Sequence, residues 1–158
     1  MGDLPAKAQI VQRALVDGGF DNAVTIMPDS TRTAADAAAA CGCTVAQIAK
    51  SIVFRAKRTD RPVLVVASGV NRVSEKAVGR ALGEKLGRAD ADFVRDRTGF
   101  AIGGVGPIGH VEAVEIFIDQ TLMEYDRIWA AAGTPNAVFS LTPTELVAMT
   151  GGRVIDIG

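Results

Sequence analysis

A chain of 158 residues with 48% apolar and 22% charged side chains can bury one core without disulfide or metal staples, which leaves a second domain unexpected and a single domain over residues 1–158 expected. No apolar run approaches the ~20 residues of a bilayer span, and MGDLPAKAQIVQRAL lacks a signal-peptide pattern, so a cytoplasmic protein with no membrane contact is expected. A net charge of −1 excludes a general coat for DNA or other nucleic acid.

The charge is unevenly spread. Residues 50–97 hold 12 basic and 6 acidic side chains, whereas residues 98–158 hold 2 and 7. A basic middle third suits a phosphate-rich ligand on one face, and it equally suits helices with solvated arginines.

Taken in order, PAKAQIVQRALVDGG sets Ile10, Val11, Ala14 and Leu15 on one helical stripe and closes at Gly18-Gly19. AVTIM follows as a short strand. TAADAAAACG predicts a helix capped by Thr33 and stopped by Gly42, and TVAQIAK repeats the device with a Thr44/Gln47 capping box opening a short helix. Lys50 then stands at the junction with SIVFRAK, which pairs with PVLVVASG as a hairpin across RTDR.

SEKAVGRALGEKLG reads as a helix from Ser74, weakened by Gly79 and Gly83, and ADFVRDRTG as a shorter one. EAVEIFID alternates as a half-buried strand. TLMEYDRIWAAAG reads as a helix, AVFSL as a strand, TPTELVAMTGG as a helix with Thr142 as cap, Pro143 in its first turn and Gly151 as stop, and RVIDI as the last strand. The interleaving without strict β-α-β alternation predicts an α+β (mixed α/β) fold: one curved or barrel-like mixed sheet surrounded by helices.

Cys41 and Cys43, with one distant histidine, fall short of a zinc ligand set, so a reduced, structural role and no metal are expected.

The stretch GGVGPIGH, residues 103–110, contains a G-x-G-x-x-G string, yet a strand follows it and Pro107 removes a backbone donor. A dinucleotide cradle needs a helix there. Gly103, Gly104, Gly106 and Gly109 therefore serve either tight turns or the close approach of a ligand to bare peptide groups. Donors fixed by a rigid loop can stabilise an oxyanion. His110, the only histidine, is a structural hydrogen-bonder or a base. No Ser/His/Asp order with a nucleophile elbow accompanies it. Lys50 is either dipole complementation at a helix end or an ammonium group projecting into a pocket.

VAQIAKSIVFRA, VLVVASGVNRV, GEKLGRADADFVRDRTGFAIGGVGPIGH and TPNAVFSLTPTELVAMTGGRVIDI together resemble the YbaK/EbsC family, which includes the prolyl-tRNA synthetase-associated editing domains. The likeness runs from about residue 20 to the end. It implies a freestanding deacylase that acts in trans on mischarged aminoacyl-tRNA, chiefly tRNA for proline carrying Ala, Ser or Thr, Cys or 2-aminobutyrate. It implies no cofactor, since positioned water and substrate groups carry the hydrolysis, and it names prolyl-tRNA synthetase as a partner.

By the same resemblance Lys50, Gly103 and Gly104 are the catalytic candidates. Gly106, Pro107, Gly109 and His110 complete the substrate loop. Thr31, Thr33, Ser68, Asn136 and Ser140, polar residues at element ends, are candidates for the pocket lining and are also ordinary cap or turn residues. Arg55, Lys57, Arg58 and Arg61 are candidate contacts to acceptor-stem phosphates. The alternatives are a non-catalytic module that binds a tRNA end or a nucleotide, and, more remotely, a dinucleotide-dependent oxidoreductase.

Overall fold

β3 (Pro62–Ser68) is buried at every position, as its Val-Leu-Val-Val run requires of a strand covered on both faces. Alternation along it sorts the core. Leu64 and Val66 join one apolar cluster with Val11, Phe139 and Leu146, while Val63, Val65 and Ala67 join another with Val78 and Phe117. The computed structural model from which this is read describes residues 4–28, 31 and 33–158.

Among those residues are five α-helices: α1 (Ala6–Asp17), α2 (Ala34–Cys41), α3 (Glu75–Leu82), α4 (Ala91–Thr98) and α5 (Pro143–Thr150). The further strands are β1 (Thr25–Ile26), β2 (Ile48–Ala56), β4 (Leu86–Arg88), β5 (Glu115–Asp119), β6 (Ile128–Ala131), β7 (Ala137–Leu141) and β8 (Arg153–Ile155). They form one mixed sheet in the order β1-β7-β6-β2-β3-β5-β8, with β4 also on β2. The fold is mixed α/β as expected, and the sheet is open, ending at β1 and β8 without closing into a barrel.

Side-chain caps set the helix starts. Thr33, Ser74 and Asp90 each accept from a peptide N–H three residues on, and Thr142 with Glu145 forms a reciprocal capping box, each worth about 1 kcal/mol.

Two expected helices are absent. In TVAQIAK the Thr44/Gln47 capping box is present but opens only a 3-10 turn, Val45–Gln47, after which β2 begins at Ile48. In TLMEYDRIWAAAG a 3-10 turn, Gln120–Glu124, is followed by β6. Pairing outweighs propensity in both segments: Ile48 and Ala49 lie in register with Trp129 and Ala130. β4 was not expected, because three residues carry too little alternation to announce a strand.

The feature that positions the site is a fork in the sheet. One edge of β2 is fully occupied by antiparallel β3, from Ala49 opposite Ser68 to Arg55 opposite Pro62. The other edge holds β6 only at Ile48 and Ala49, and β4 only from Phe54 to Ala56. Residues 50–53 have no strand partner there among the described residues. Ile102, Gly103 and Val105, in the loop after α4, line one cavity with Lys50, Ser51 and Ile52.

Candidate functional site

That loop is shaped by its glycines. The Gly104 N–H donates to the Ala101 carbonyl at 2.9 Å, closing a turn in which Gly103 has φ +93°, a conformation that L side chains rarely adopt. The Gly104 carbonyl then accepts from the Gly133 N–H at 2.9 Å, and a Cβ on Gly104 would sit 2.9 Å from the Gly133 oxygen. The loop is thereby docked on the turn that links β6 to β7.

Further along, Gly106 and Pro107 are buried, and the Gly106 carbonyl lies 2.7 Å from Nε2 of His110. Burial depresses the imidazole pKa, and the hydrogen bond to Gly106 only partly opposes this. The ring is neutral near pH 7 and donates Nε2–H to that carbonyl. His110 also meets Phe100 edge-on, with centroids 6.3 Å apart, while Gly109 faces Ile10, Phe100 and Val11. Both residues brace the loop from behind.

In front of the loop, at the fork, lies a cavity of about 250 Å³. Lys50, third residue of β2, and Gly103 both line it, together with Thr31 and Thr33. Strand alternation sets Lys50 on the face of Ile48 and Ile52, and Ser51 on that of Ala49 and Val53. Lys50 is therefore a strand residue and not the end of a helix, so dipole complementation does not explain it. The remaining walls include Ala34 and Ala37 of α2, Ile48, Trp129 and Val138. Sequence reasoning missed these, because small and apolar residues on four separate elements converge only through the fold.

Other expected site residues are used elsewhere. The Ser68 peptide N–H donates to buried Asp119 and its hydroxyl to the Ala46 carbonyl. Asn136 bonds Thr134 and the Met27 carbonyl, and Ser140 accepts from Arg127. None of these three lines the cavity. Thr31 does, although its hydroxyl and peptide N–H both go to the Pro135 carbonyl. Thr33 lines the cavity while capping α2.

The basic segment is largely self-neutralised at the β2–β3 hairpin. Arg55 and Arg97 pair with Asp60 at 3.3 and 2.9 Å, and Arg61 and Arg58 with Glu84 at 3.3 and 3.9 Å. At ~3.3 Å per residue this tip lies on the order of 20 Å along β2 from Lys50. The hairpin tip is therefore remote from Gly103.

Among the described residues no cluster of three metal-ligating side chains occurs, and no helix is long and apolar enough to cross a membrane. Cys41 and Cys43 are free thiols. Burial, with the neighbouring Cys43, pushes Cys41 up to about 11, and burial raises Cys43 as well, so both are protonated and poorly nucleophilic.

Residues 28–149 match the family described as aminoacyl-tRNA editing domain. YwhH of Bacillus subtilis (strain 168), an uncharacterized protein, is 33% identical over 138 residues, 87% of each chain. EbsC of Enterococcus faecalis (strain ATCC 700802 / V583), a candidate Cys-tRNA(Pro)/Cys-tRNA(Cys) deacylase, is 25% identical over 70% of this chain and 68% of its own. The crystal structure of a candidate trans-editing enzyme for prolyl-tRNA synthetase superposes with a TM-score of 0.93 at 44% identity, covering 98% of both chains.

Proposed function

The chain belongs to the aminoacyl-tRNA editing domain family, and from that membership we propose that it is a deacylase which acts in trans on mischarged tRNA for proline, clearing a small wrong amino acid. The observation that carries this reading is that Lys50 and Gly103, distant in sequence, line one cavity.

The chemistry asked of the site is modest. An aminoacyl ester is already activated, so a held water attacks its carbonyl, the bond from that carbon to the ribose oxygen breaks, and the ribose hydroxyl departs with a proton as the free amino acid leaves. Orientation of water and ester supplies much of such a rate. The Lys50 ammonium opposes the negative charge that develops on the carbonyl oxygen, a role worth several kcal/mol where water is excluded. His110 needs no part in proton transfer, because its Nε2 is committed to Gly106.

The cavity supports a small side chain as the group removed. Ala34, Ala37, Ile48 and Val138 are among its walls, and such apolar walls suit the short aliphatic side chain of alanine or 2-aminobutyrate. A partner synthetase would supply the mischarged tRNA. The test is release of amino acid from tRNA for proline charged with Ala, Ser, Thr, Cys or 2-aminobutyrate. Release of at least one small residue well above the buffer rate is expected, and release of none contradicts the reading.

A further inference from the structure

The glycine loop is closed at its base. Arg97 stands in the last turn of α4, just before the loop, and Glu112 just after it, and the two pair at 3.1 Å. Inside that pair the Val111 N–H donates to the Thr98 carbonyl at 3.1 Å. The Val111 side chain covers Gly99, the left-handed cap of α4, so closely that a Cβ there would meet it at 2.5 Å. Residues 99–110 thus form an Ω-shaped segment whose ends touch, with its neck at Arg97, Thr98, Val111 and Glu112.

Arg97 does more than close the neck. It also pairs with Asp60 at 2.9 Å, and its guanidinium lies 4.8 Å from the ring centroid of Phe93, four residues earlier on the same face of α4. Arg55 of β2 pairs with the same Asp60 at 3.3 Å and lies over the same ring at 5.9 Å. Four charges therefore alternate, Arg55, Asp60, Arg97 and Glu112, and join the β2–β3 hairpin to the neck. A guanidinium can divide itself between two carboxylates while stacked on a ring, and an ammonium group cannot. Asp60 is held at φ +61°, alone among the described non-glycine residues, a conformation that aspartate tolerates better than most.

The two ends of this chain of charges belong to the two sides of the cavity. Lys50 stands on β2 and Gly103 on the loop, and no strand ladder joins them, because that edge of β2 is open at residues 50–53. Their spacing must be fixed from elsewhere. We propose that Arg97 is a positioning residue for the reaction: through Asp60 and Glu112 it holds the neck against the β2–β3 hairpin and so sets Gly103 relative to Lys50. The inference rests on the deacylase reading. Arg97 is 28% and Asp60 58% exposed, so the network adds little to global stability, whereas a misplacement of ~1 Å at reacting groups can cost ~100-fold in rate. Rate is expected to suffer far more than Tm.

The test follows amide exchange in the whole isotopically labelled protein by NMR, with kinetics on alanyl-tRNA for proline, for Arg97→Gln, Asp60→Asn, Glu112→Gln and the Arg97→Gln/Glu112→Gln pair. The Gly104 and Gly133 amides, whose hydrogen bonds tie the loop down, are expected to exchange about tenfold faster in Arg97→Gln, with Val65 of β3 unchanged. Salt at 1 M is expected to bring the wild-type loop toward the variant. In Arg97→Gln, kcat is expected to fall about tenfold with KM within twofold and Tm little altered. Asp60→Asn, which keeps the left-handed turn, and Glu112→Gln each give part of that loss, and the double variant is no worse than Arg97→Gln alone. Unaltered loop exchange, unaltered kcat, or an equal acceleration at Val65 overturns the proposal and leaves the deacylase reading standing. Faster loop exchange in Arg97→Gln, with a wild type that hydrolyses no aminoacyl-tRNA, would keep Arg97 as the clamp of the loop and sink the deacylase.

Discussion

The Nε2 atom of His110 lies 2.7 Å from the carbonyl oxygen of Gly106, so the only histidine of the chain ties the glycine loop to itself instead of facing the cavity that Lys50 lines. The neutral ring is built into the fold, and burial lowers its pKa from 6.5.

A depressed histidine pKa means that the unfolded chain binds the proton more readily than the native one. The stabilisation is therefore complete above pH 6.5 and is lost progressively as the pH falls from there toward the lower folded value. Thermal unfolding from pH 8 to pH 5 is expected to show Tm falling below pH 6.5, with the fall reduced in His110→Gln, whose side chain does not titrate. Equal pH dependence in both proteins would show that the ring makes no such contribution.

Gly104 carries the contact that seats the loop. A Cβ there would meet the Gly133 oxygen at 2.9 Å and the Thr134 Cα at 3.1 Å, both backbone atoms that cannot rotate away. Gly104→Ala is expected to cost ~1–3 kcal/mol in denaturant unfolding and to lower turnover by displacing Gly103. An unchanged midpoint would show that the loop and the β6–β7 turn separate freely.

Ala34 sits on the wall of the first cavity and is only half-buried, so it tolerates enlargement without an overpacked core. Ala34→Val is expected to shift the ratio of kcat/KM for 2-aminobutyryl- over alanyl-tRNA downward by about tenfold, in line with ~1–3 kcal/mol per methylene in an apolar pocket. An unmoved ratio would place the side-chain chamber elsewhere.

How much of this was legible beforehand depends on the range of the signal. Caps are local, so Thr33, Ser74 and Thr142 announce their helices directly. The β2–β3 hairpin is equally plain, as its two apolar runs lie side by side in the sequence. The stretch 121–133 misleads because Leu122, Tyr125 and Trp129 fit a helical period, whereas β6 exists only through pairing with β2 and β7. The site was half legible. Lys50 and the loop stand out as residue types, but the walls of Ala34, Ala37 and Val138 look like any core, and Ser51 looks like any strand serine until the fork leaves its edge open. The polar residues Ser68, Asn136 and Ser140 drew notice for chemistry that the fold spends on internal hydrogen bonds.

The most direct measurement is single-turnover hydrolysis of alanyl- and 2-aminobutyryl-tRNA for proline by the wild-type protein and by Lys50→Ala, with Tm recorded for both. The account predicts measurable deacylation by the wild type, a loss of about a hundredfold or more in Lys50→Ala, and an unchanged Tm, because the Lys50 side chain faces the cavity and not the core. Full activity in Lys50→Ala, or no hydrolysis of any mischarged tRNA by the wild type, would contradict it.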